Sequence, residues 1–232
     1  MYILIFFSII TIFIFVCLEY DRNKRPKISF IDYYNFKSCL IGFLNTLIFF
    51  YDNQMIFDEK DLKIHRKFKT NYDKILNEIN DVYNKYTLIN PGVFDDAFKQ
   101  KNDKYGYYFI NYYGNITNNI FPTIESIIRS DECKEKVKTC FISIIDGKKV
   151  IPEHRGPFKG LLRYHFTVLS EESSKNFLKV KDKYLFWREK EGFCFDDTFY
   201  HKAKKKTNGL RVVIICDLKR KLPLILDIYN KF

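Results

Sequence analysis

The sequence predicts a mainly β fold, a sandwich or small barrel, preceded by α-helices and led by an apolar helix at the N-terminus. Three observations carry this expectation. From about residue 139 the apolar spacing changes from helical to alternating, in short runs rich in aromatic and β-branched residues. Gly147, Gly156-Pro157, Gly192 and Asn208-Gly209 separate those runs as turns, and no Gly-rich nucleotide loop interrupts them. Residues 1–18, MYILIFFSIITIFIFVCL, carry no charge, and that length lies at the lower end of what spans a bilayer as a helix.

In chain order, residues 1–18 read as an uncleaved transmembrane anchor. A cleaved signal peptide would show a basic segment before the run and a small-x-small site after it, and neither is present. Arg22, Lys24, Arg25 and Lys27 follow with nothing basic before the run, so the positive-inside rule places the bulk of the chain in the cytosol. Residues 19–56 form a juxtamembrane stretch containing the apolar run CLIGFLNTLIFFY at 39–51. That run is too short for a span and is expected to be a buried or membrane-resting helix. Were it to cross, the rest of the chain would change sides, and the sequon Asn115-Ile116-Thr117 would then matter.

Residues 57–138 are expected to be helical. YDKILNEINDVYNKY puts Ile75, Leu76, Ile79 and Val82 on one face, and Asn90-Pro91-Gly92 ends that region. A second helix over about 122–136 begins at Pro122, with Ile124, Ile127 and Ile128 inward. Residues 139–232 hold the strands, read from TCFISII, LLRYHFTVL, FLKVKDKYLFW, GFCF and LRVVIICDL.

Bulk numbers bound the function. A chain of 232 residues, 47% apolar with charges of both signs, suffices for one domain with a sizeable core plus an appendage. The net charge of +11 would suit nucleic acid, anionic lipid or an acidic substrate. The basic residues are scattered, however, and no nucleic-acid-binding motif accompanies them, so solvated surface is expected and no nucleic-acid partner. The six cysteines show no CxxC pair and read as reduced thiols, with a local Cys133–Cys140 bridge as the alternative. Oligomeric state is not legible.

Histidine is scarce: His65, His154, His165 and His201. In LLRYHFTV, alternation puts Arg163 and His165 on one strand face, a costly pair inside a barrel unless an anion lies between them. Arg211 opens the strongly apolar LRVVIICDL and raises the same need for a carboxylate, which a guanidinium fork matches. His154 and His201 stand at strand margins beside acids, and two such imidazoles suggest a metal site for Fe, Zn, Cu or Ni. In the common two-His-one-carboxylate set the acid lies two residues after the first His, and here that position is Gly156, which cannot ligate.

The features PEHRGP, LLRYH, Trp187 with Glu191-Gly192, FDDTFYH and RVVIICD, in this order, resemble the catalytic core of the aspartyl/asparaginyl β-hydroxylase family over residues 143–219, with looser similarity back to about residue 57. These are Fe(II)- and 2-oxoglutarate-dependent oxygenases that include lipid A hydroxylases. The resemblance implies a double-stranded β-helix (jelly-roll) preceded by helices. It implies that His154 and His201 bind iron and that Arg163 and His165 hold the 1-carboxylate of 2-oxoglutarate. Arg211 and Ser143 would hold its distal carboxylate. Asp197 would orient a metal-bound water in place of the missing ligand, while Asp196 caps the turn.

The implied cosubstrates are 2-oxoglutarate and O2. The implied reaction is hydroxylation of an unactivated carbon, first of all an Asp or Asn side chain of a protein, alternatively a lipid acyl chain. A halogenase, with chloride at the vacant position, and an inactive binding module are the remaining readings. Two departures stand out: the segment after His201 is basic, KAKKKTNG, and residues 170–186 lack the family's Pro- and Gly-rich character.

Overall fold

The computed structural model describes residues 2–22, 36–83, 105–116 and 120–227. The basic flank at 24–27, the breaker at 90–92 and Thr117 of the sequon lie outside the described residues.

Among the described residues, eleven strands form two antiparallel sheets. The larger has the order β1 (Ile56–Phe57), β9 (Gly192–Phe195), β6 (Leu161–Leu169), β11 (Leu210–Lys219), β4 (Val137–Asp146), β2 (Tyr105–Tyr112), β3 (Asn115–Ile116). The smaller has the order β5 (Lys149–His154), β10 (His201–Lys205), β7 (Phe177–Val180), β8 (Lys183–Phe186). From β4 onward the chain passes back and forth between the sheets, which is the winding of a double-stranded β-helix.

Period-two patterning sorts each central strand into two environments. Val212, Ile214, Cys216 and Leu218 of β11, with Leu162, Tyr164, Phe166 and Val168 of β6, join one buried cluster with the helices. That cluster includes Phe68 of α3 (Lys63–Thr70), Ile75 and Ile79 of α4 (Tyr72–Tyr83) and Ile124 of α5 (Pro122–Arg129). The other face of β11 turns Val213 and Ile215 toward Ile151, Leu178, Val180 and Ala203 of the smaller sheet. Each fully buried side chain of this kind contributes about 1.5–3 kcal/mol relative to exposure. A one-residue slip of β11 would exchange the two sets, so register is strongly specified.

The structure revises several expected elements. Residues 57–86 are not one helix: β1 and a short 3-10 turn at Glu59–Asp61 precede α3 and α4. The second helix stops at Arg129 rather than 136. Residues 105–116 form strands where no strand was expected. Most of the basic segment after His201 is strand: β10 covers His201–Lys205. Cys133, Cys140, Cys194 and Cys216 are buried free thiols, without the Cys133–Cys140 bridge.

The N-terminal transmembrane expectation is not shown. Tyr2–Arg22 forms one helix, α1, of 21 residues, yet among the described residues no helix is long and apolar enough to cross a membrane. Instead of standing alone, α1 touches α2 (Phe36–Tyr51), with the Phe13 and Phe43 rings edge to face at 4.0 Å. α2 in turn docks on the β domain. Ile48 is fully buried, the Asn45 amide donates to the Pro157 carbonyl (2.8 Å), and the Lys159 amide donates to Asn45 Oδ1 (2.7 Å). Because Pro157 and Lys159 follow His154 directly, this clasp fixes the loop at the site. Asn45→Ala removes two hydrogen bonds and leaves a buried backbone donor unmatched, so a loss of about 1–3 kcal/mol in urea unfolding is expected.

Candidate active site

His154 ends β5 and His201 begins β10, and the two are cross-strand neighbours in register. Their ring centroids lie 4.2 Å apart. Nδ1 of His154 meets the Pro152 carbonyl and Nδ1 of His201 meets the Phe199 carbonyl, both at 2.8 Å. Since a carbonyl only accepts, each Nδ1 carries the proton and each Nε2 keeps the lone pair that ligates a cation. Burial and the neighbouring His154 push His201 well below the ordinary imidazole range, so it stays neutral, the form a metal requires. His65 has no part in this: it sits in the helix–sheet core with Nδ1 2.9 Å from the Tyr164 hydroxyl.

The expected carboxylate neighbour is present in space though not in sequence. A Cβ built on Gly156 would collide with both carboxylate oxygens and Cγ of Asp197. The Asp197 side chain therefore fills the volume that an acid at position 156 would occupy. The Gly156 amide donates to the Asp197 carbonyl at 2.7 Å, locking the two segments together. Burial, against the opposing pull of Arg163, pushes the Asp197 carboxyl up to about 7. No three His, Cys, Asp or Glu side chains converge as a ligand group among the described residues. What converges is a pair of imidazoles with a carboxylate beside them.

Arg163 lines the same cavity, but its fork is engaged. Nε binds Asp217 Oδ1 at 2.9 Å, and an Nη lies 3.3 Å from Asp197 Oδ2. Asp217 is itself held by the Thr139 hydroxyl at 2.6 Å. Register explains the pairing, since Asp217 of β11 stands opposite Arg163 of β6. Two of the three Arg163 nitrogens thus meet carboxylates, Asp217 more closely than Asp197.

Arg211 is the contrasting case. It is 2% exposed, donates to the Ser143 hydroxyl at 2.6 Å and stacks over the Trp187 ring at 4.7 Å. Its Nε is buried without a partner. Burial pulls its pKa down to about 10, with only the Tyr105 and Tyr107 hydroxyls acting in the other direction and no carboxylate among them. A buried guanidinium in that condition is a receptor for an anion.

His165 lies between Phe193 and Phe195, at 4.9 and 5.6 Å, with Trp187 Nε1 3.5 Å from its Nδ1. Burial and the charges of Arg211 and Arg163 keep it neutral, well below its ordinary value.

These groups line one cavity of about 400 Å³. Its lining includes the buried Arg211, Ser143 and Trp187 and a set of aromatic side chains: Tyr105, Tyr107, Phe109, Phe141 and Tyr112. Tyr107 lies 5.3 Å and Phe109 5.4 Å from Phe141, as edge-to-face and tilted ring pairs. The sequence reading assigned none of β2 to the site. Its signal was the alternation in YGYYFINYY.

Asp196 caps its turn as expected, accepting from the Thr198 amide and hydroxyl at 3.0 and 2.6 Å. It also does something unforeseen. Its other oxygen binds Lys159 at 2.5 Å and Arg220 at 2.7 Å, all three groups being buried, and Arg220 reaches Asp52 at 3.0 Å. The loops bearing His154 and Asp197 are thereby tied to one ion cluster and, through Asp52, to the end of α2.

Two imidazoles, an adjacent carboxylate and a buried guanidinium without a carboxylate partner thus line one cavity of a jelly-roll fold. The chain belongs to the Aspartyl/Asparaginyl beta-hydroxylase family, whose model matches residues 69–221. A curated relative is the ornithine lipid ester-linked acyl 2-hydroxylase of Rhizobium tropici, 34% identical over 85 residues; the match spans 36% of this chain and 30% of that protein. Among solved structures, HygX from Streptomyces hygroscopicus with nickel and 2-oxoglutarate bound overlaps with a TM-score of 0.47 at 9% identity, covering 64% of this chain and 79% of that one. A 2OG-Fe(II) oxygenase family oxidoreductase from Burkholderia pseudomallei overlaps at 0.40 and 9% identity, covering 56% and 77%.

Proposed function

We propose that this chain is an Fe(II)- and 2-oxoglutarate-dependent hydroxylase acting on the acyl chain of a membrane lipid. The observation that carries the cosubstrate is Arg211, a buried cation whose Nε lacks a partner and which lines the same cavity as the imidazole pair. A dicarboxylate would place one end on the guanidinium and the other at the metal. Iron with 2-oxoglutarate and O2 would supply the oxidant that inserts oxygen into an unactivated C–H bond, with succinate and CO2 as coproducts.

The chain's own residues do the rest. His154 and His201 would offer Nε2 to the metal while their Nδ1 protons stay on backbone carbonyls. Asp197 would accept from a water at the position Gly156 leaves open, and Arg163 with Asp217 would keep that carboxylate aimed. Arg211 and Ser143 would hold the distal carboxylate of 2-oxoglutarate. Neutral His165 would face its other end, with help from the little of the Arg163 fork that its carboxylates leave open. The aromatic wall would exclude water from the reacting carbon.

Two observations move the substrate from a protein Asp or Asn side chain, the first expectation from sequence, to an acyl chain. The wall beside the imidazoles is Tyr107, Phe109, Phe141, Ile151 and Leu178, which suits hydrocarbon. The curated relative is by its name an acyl hydroxylase. Attachment to a bilayer fits the same reading: Leu4, Phe6, Phe7 and Ile9 of α1 are all at least 60% exposed. The family name keeps hydroxylation of a protein Asp or Asn as the second reading.

The test is succinate release by the full chain with Fe(II), 2-oxoglutarate and either acylated lipids or Asp/Asn peptides. Wild type should release succinate and a hydroxylated product with lipids, and His154→Ala and His201→Ala should not. Turnover on peptides alone would transfer the proposal to the second reading. No turnover difference between wild type and the His variants would sink the enzyme reading.

A further inference from the structure

The outer face of the smaller sheet is a basic and aromatic surface that neither the site nor the core uses. Register defines it. Lys202, Lys179 and Tyr184 stand in one cross-strand row, and Val150, Lys204, Phe177 and Phe186 in the next. The alternate positions, Ile151, Ala203 and Leu178, point into the core. Val150 and Tyr184 are each 49% exposed and Phe186 is 38% exposed. Exposed Lys148, Lys181, Lys183 and Lys206 flank the rows, while Asp182 and Glu153 are the acids at its margins. Lys179 lies over the Tyr184 ring at 5.0 Å and Phe177 packs on Tyr184 at 5.0 Å, so lysine and ring stems form one continuous layer.

We propose that this sheet face docks the protein on the headgroups of an anionic lipid bilayer. Two observations favour a bilayer over nucleic acid at this sheet face. Its cations alternate with exposed apolar and aromatic side chains, the composition of a membrane interface. It also adjoins the apolar helices. Lys181 at the β7–β8 turn lies over the Phe199 ring at 4.4 Å, Lys159 covers the same ring at 4.3 Å, and Lys159 lies 5.6 Å from Phe49 of α2. The exposed Leu47, Phe50 and Tyr51 belong to that same helix. Lysine heads would meet lipid phosphates while the rings and α2 side chains seat at the glycerol level. The basic segment after His201, an anomaly for the family pattern, thereby acquires a role: its Lys202 and Lys204 face outward, whereas Lys205 turns in to cap the Gly147, Thr207 and Gly209 carbonyls.

This inference stands apart from the catalytic reading, because its experiment reads binding and not turnover. The full chain is mixed with vesicles of phosphatidylcholine alone or of phosphatidylcholine with phosphatidylglycerol, and partitioning is measured by flotation across a salt series. Wild type should prefer the anionic vesicles, and salt should erase the preference. Replacing Lys179, Lys202 and Lys204 with Gln should lower partitioning onto anionic vesicles by roughly a hundredfold, from about a fivefold effect per surface lysine near the headgroups. Partitioning onto neutral vesicles, which reads the apolar helices, should not move. Equal binding of wild type to both vesicle types overturns the proposal, and that result needs no variant. A triple variant that keeps its unfolding midpoint and its anionic preference also overturns it. So does lysine-dependent binding of an RNA oligonucleotide without any vesicle preference.

Discussion

Arg211→Met should leave the folded protein at least as stable as wild type while destroying its response to 2-oxoglutarate. The opposite signs follow from one fact: the guanidinium is 2% exposed and has no carboxylate to pair with. Burial depresses its pKa from the ordinary guanidinium range to about 10, and at about 1.4 kcal/mol per unit the folded chain carries a cost on the order of 3 kcal/mol for keeping it charged at neutral pH. The sign is that of a depressed cation: the cost is fully present below the folded value and falls away as pH rises toward the unfolded one. Methionine removes the charge and keeps most of the stem over Trp187, so the expected thermal midpoint without ligand is unchanged or higher, less what the Ser143 hydroxyl loses. With a redox-inert divalent metal and 2-oxoglutarate, wild type should gain stability by mass action and the variant should not. In turnover the variant should need roughly 10- to 150-fold more 2-oxoglutarate, the worth of a charge-assisted pair of about 1.5–3 kcal/mol. A variant with lowered stability and an unchanged 2-oxoglutarate requirement would remove Arg211 from the site.

Arg211 also shows what one sequence can and cannot disclose. The continuous apolar run of LRVVIICDL and the alternation of LLRYHFTVL made β11 and β6 legible, and with them the inward face of Arg211, Arg163 and His165. The partner of Arg163 was not legible. It is fixed by the register of β6 against β11, which brings Asp217 opposite, and no spacing within either strand encodes it. Asp196 is similar: its turn cap is local and readable, whereas Lys159 and Arg220 arrive from 37 and 24 residues away.

Two strands were hidden by their composition. β10 is lysine-rich, which lowers strand propensity and imitates a solvated loop. β5 contains Pro152, tolerated because β5 is an edge strand of its sheet. Both histidines of the candidate site belong to these two strands, so chemistry and family resemblance singled them out while the elements that carry them were missed. The N-terminal boundary moves for a related reason. Asp52, Gln54 and Met55 bond Arg220 and Asp196, so a fragment beginning at residue 57 would lose part of the scaffold of the site.

Gly156→Asp, which would restore an acid two residues after His154, should weaken the site and not complete it. The new Cβ enters the volume of the Asp197 carboxylate, and that carboxylate cannot swing away without leaving Arg163. Two acids would then compete for one dry space already so unfavourable to charge that Asp197 sits near pH 7. One of them must take up a proton or push the loop after His154 aside, and that loop is held by Asn45 and Lys159. Displacing a metal-bearing segment by about an ångström costs on the order of a hundredfold in rate, and disturbing the groups that orient ligands costs roughly 10- to 100-fold in metal affinity. Titration with Co(II), followed by its visible absorption, should show that weakening directly, with succinate release measured in parallel. The second variant gives the argument its force. In Gly156→Asp/Asp197→Gly the two side chains exchange places, the collision disappears, and the acid arrives from the strand that bears His154. Metal binding should recover in the double variant above either single one, because the requirement is one carboxylate in that volume and not a particular residue to supply it. If Gly156→Asp alone binds Co(II) as tightly as wild type, Asp197 does not occupy the place assigned to it.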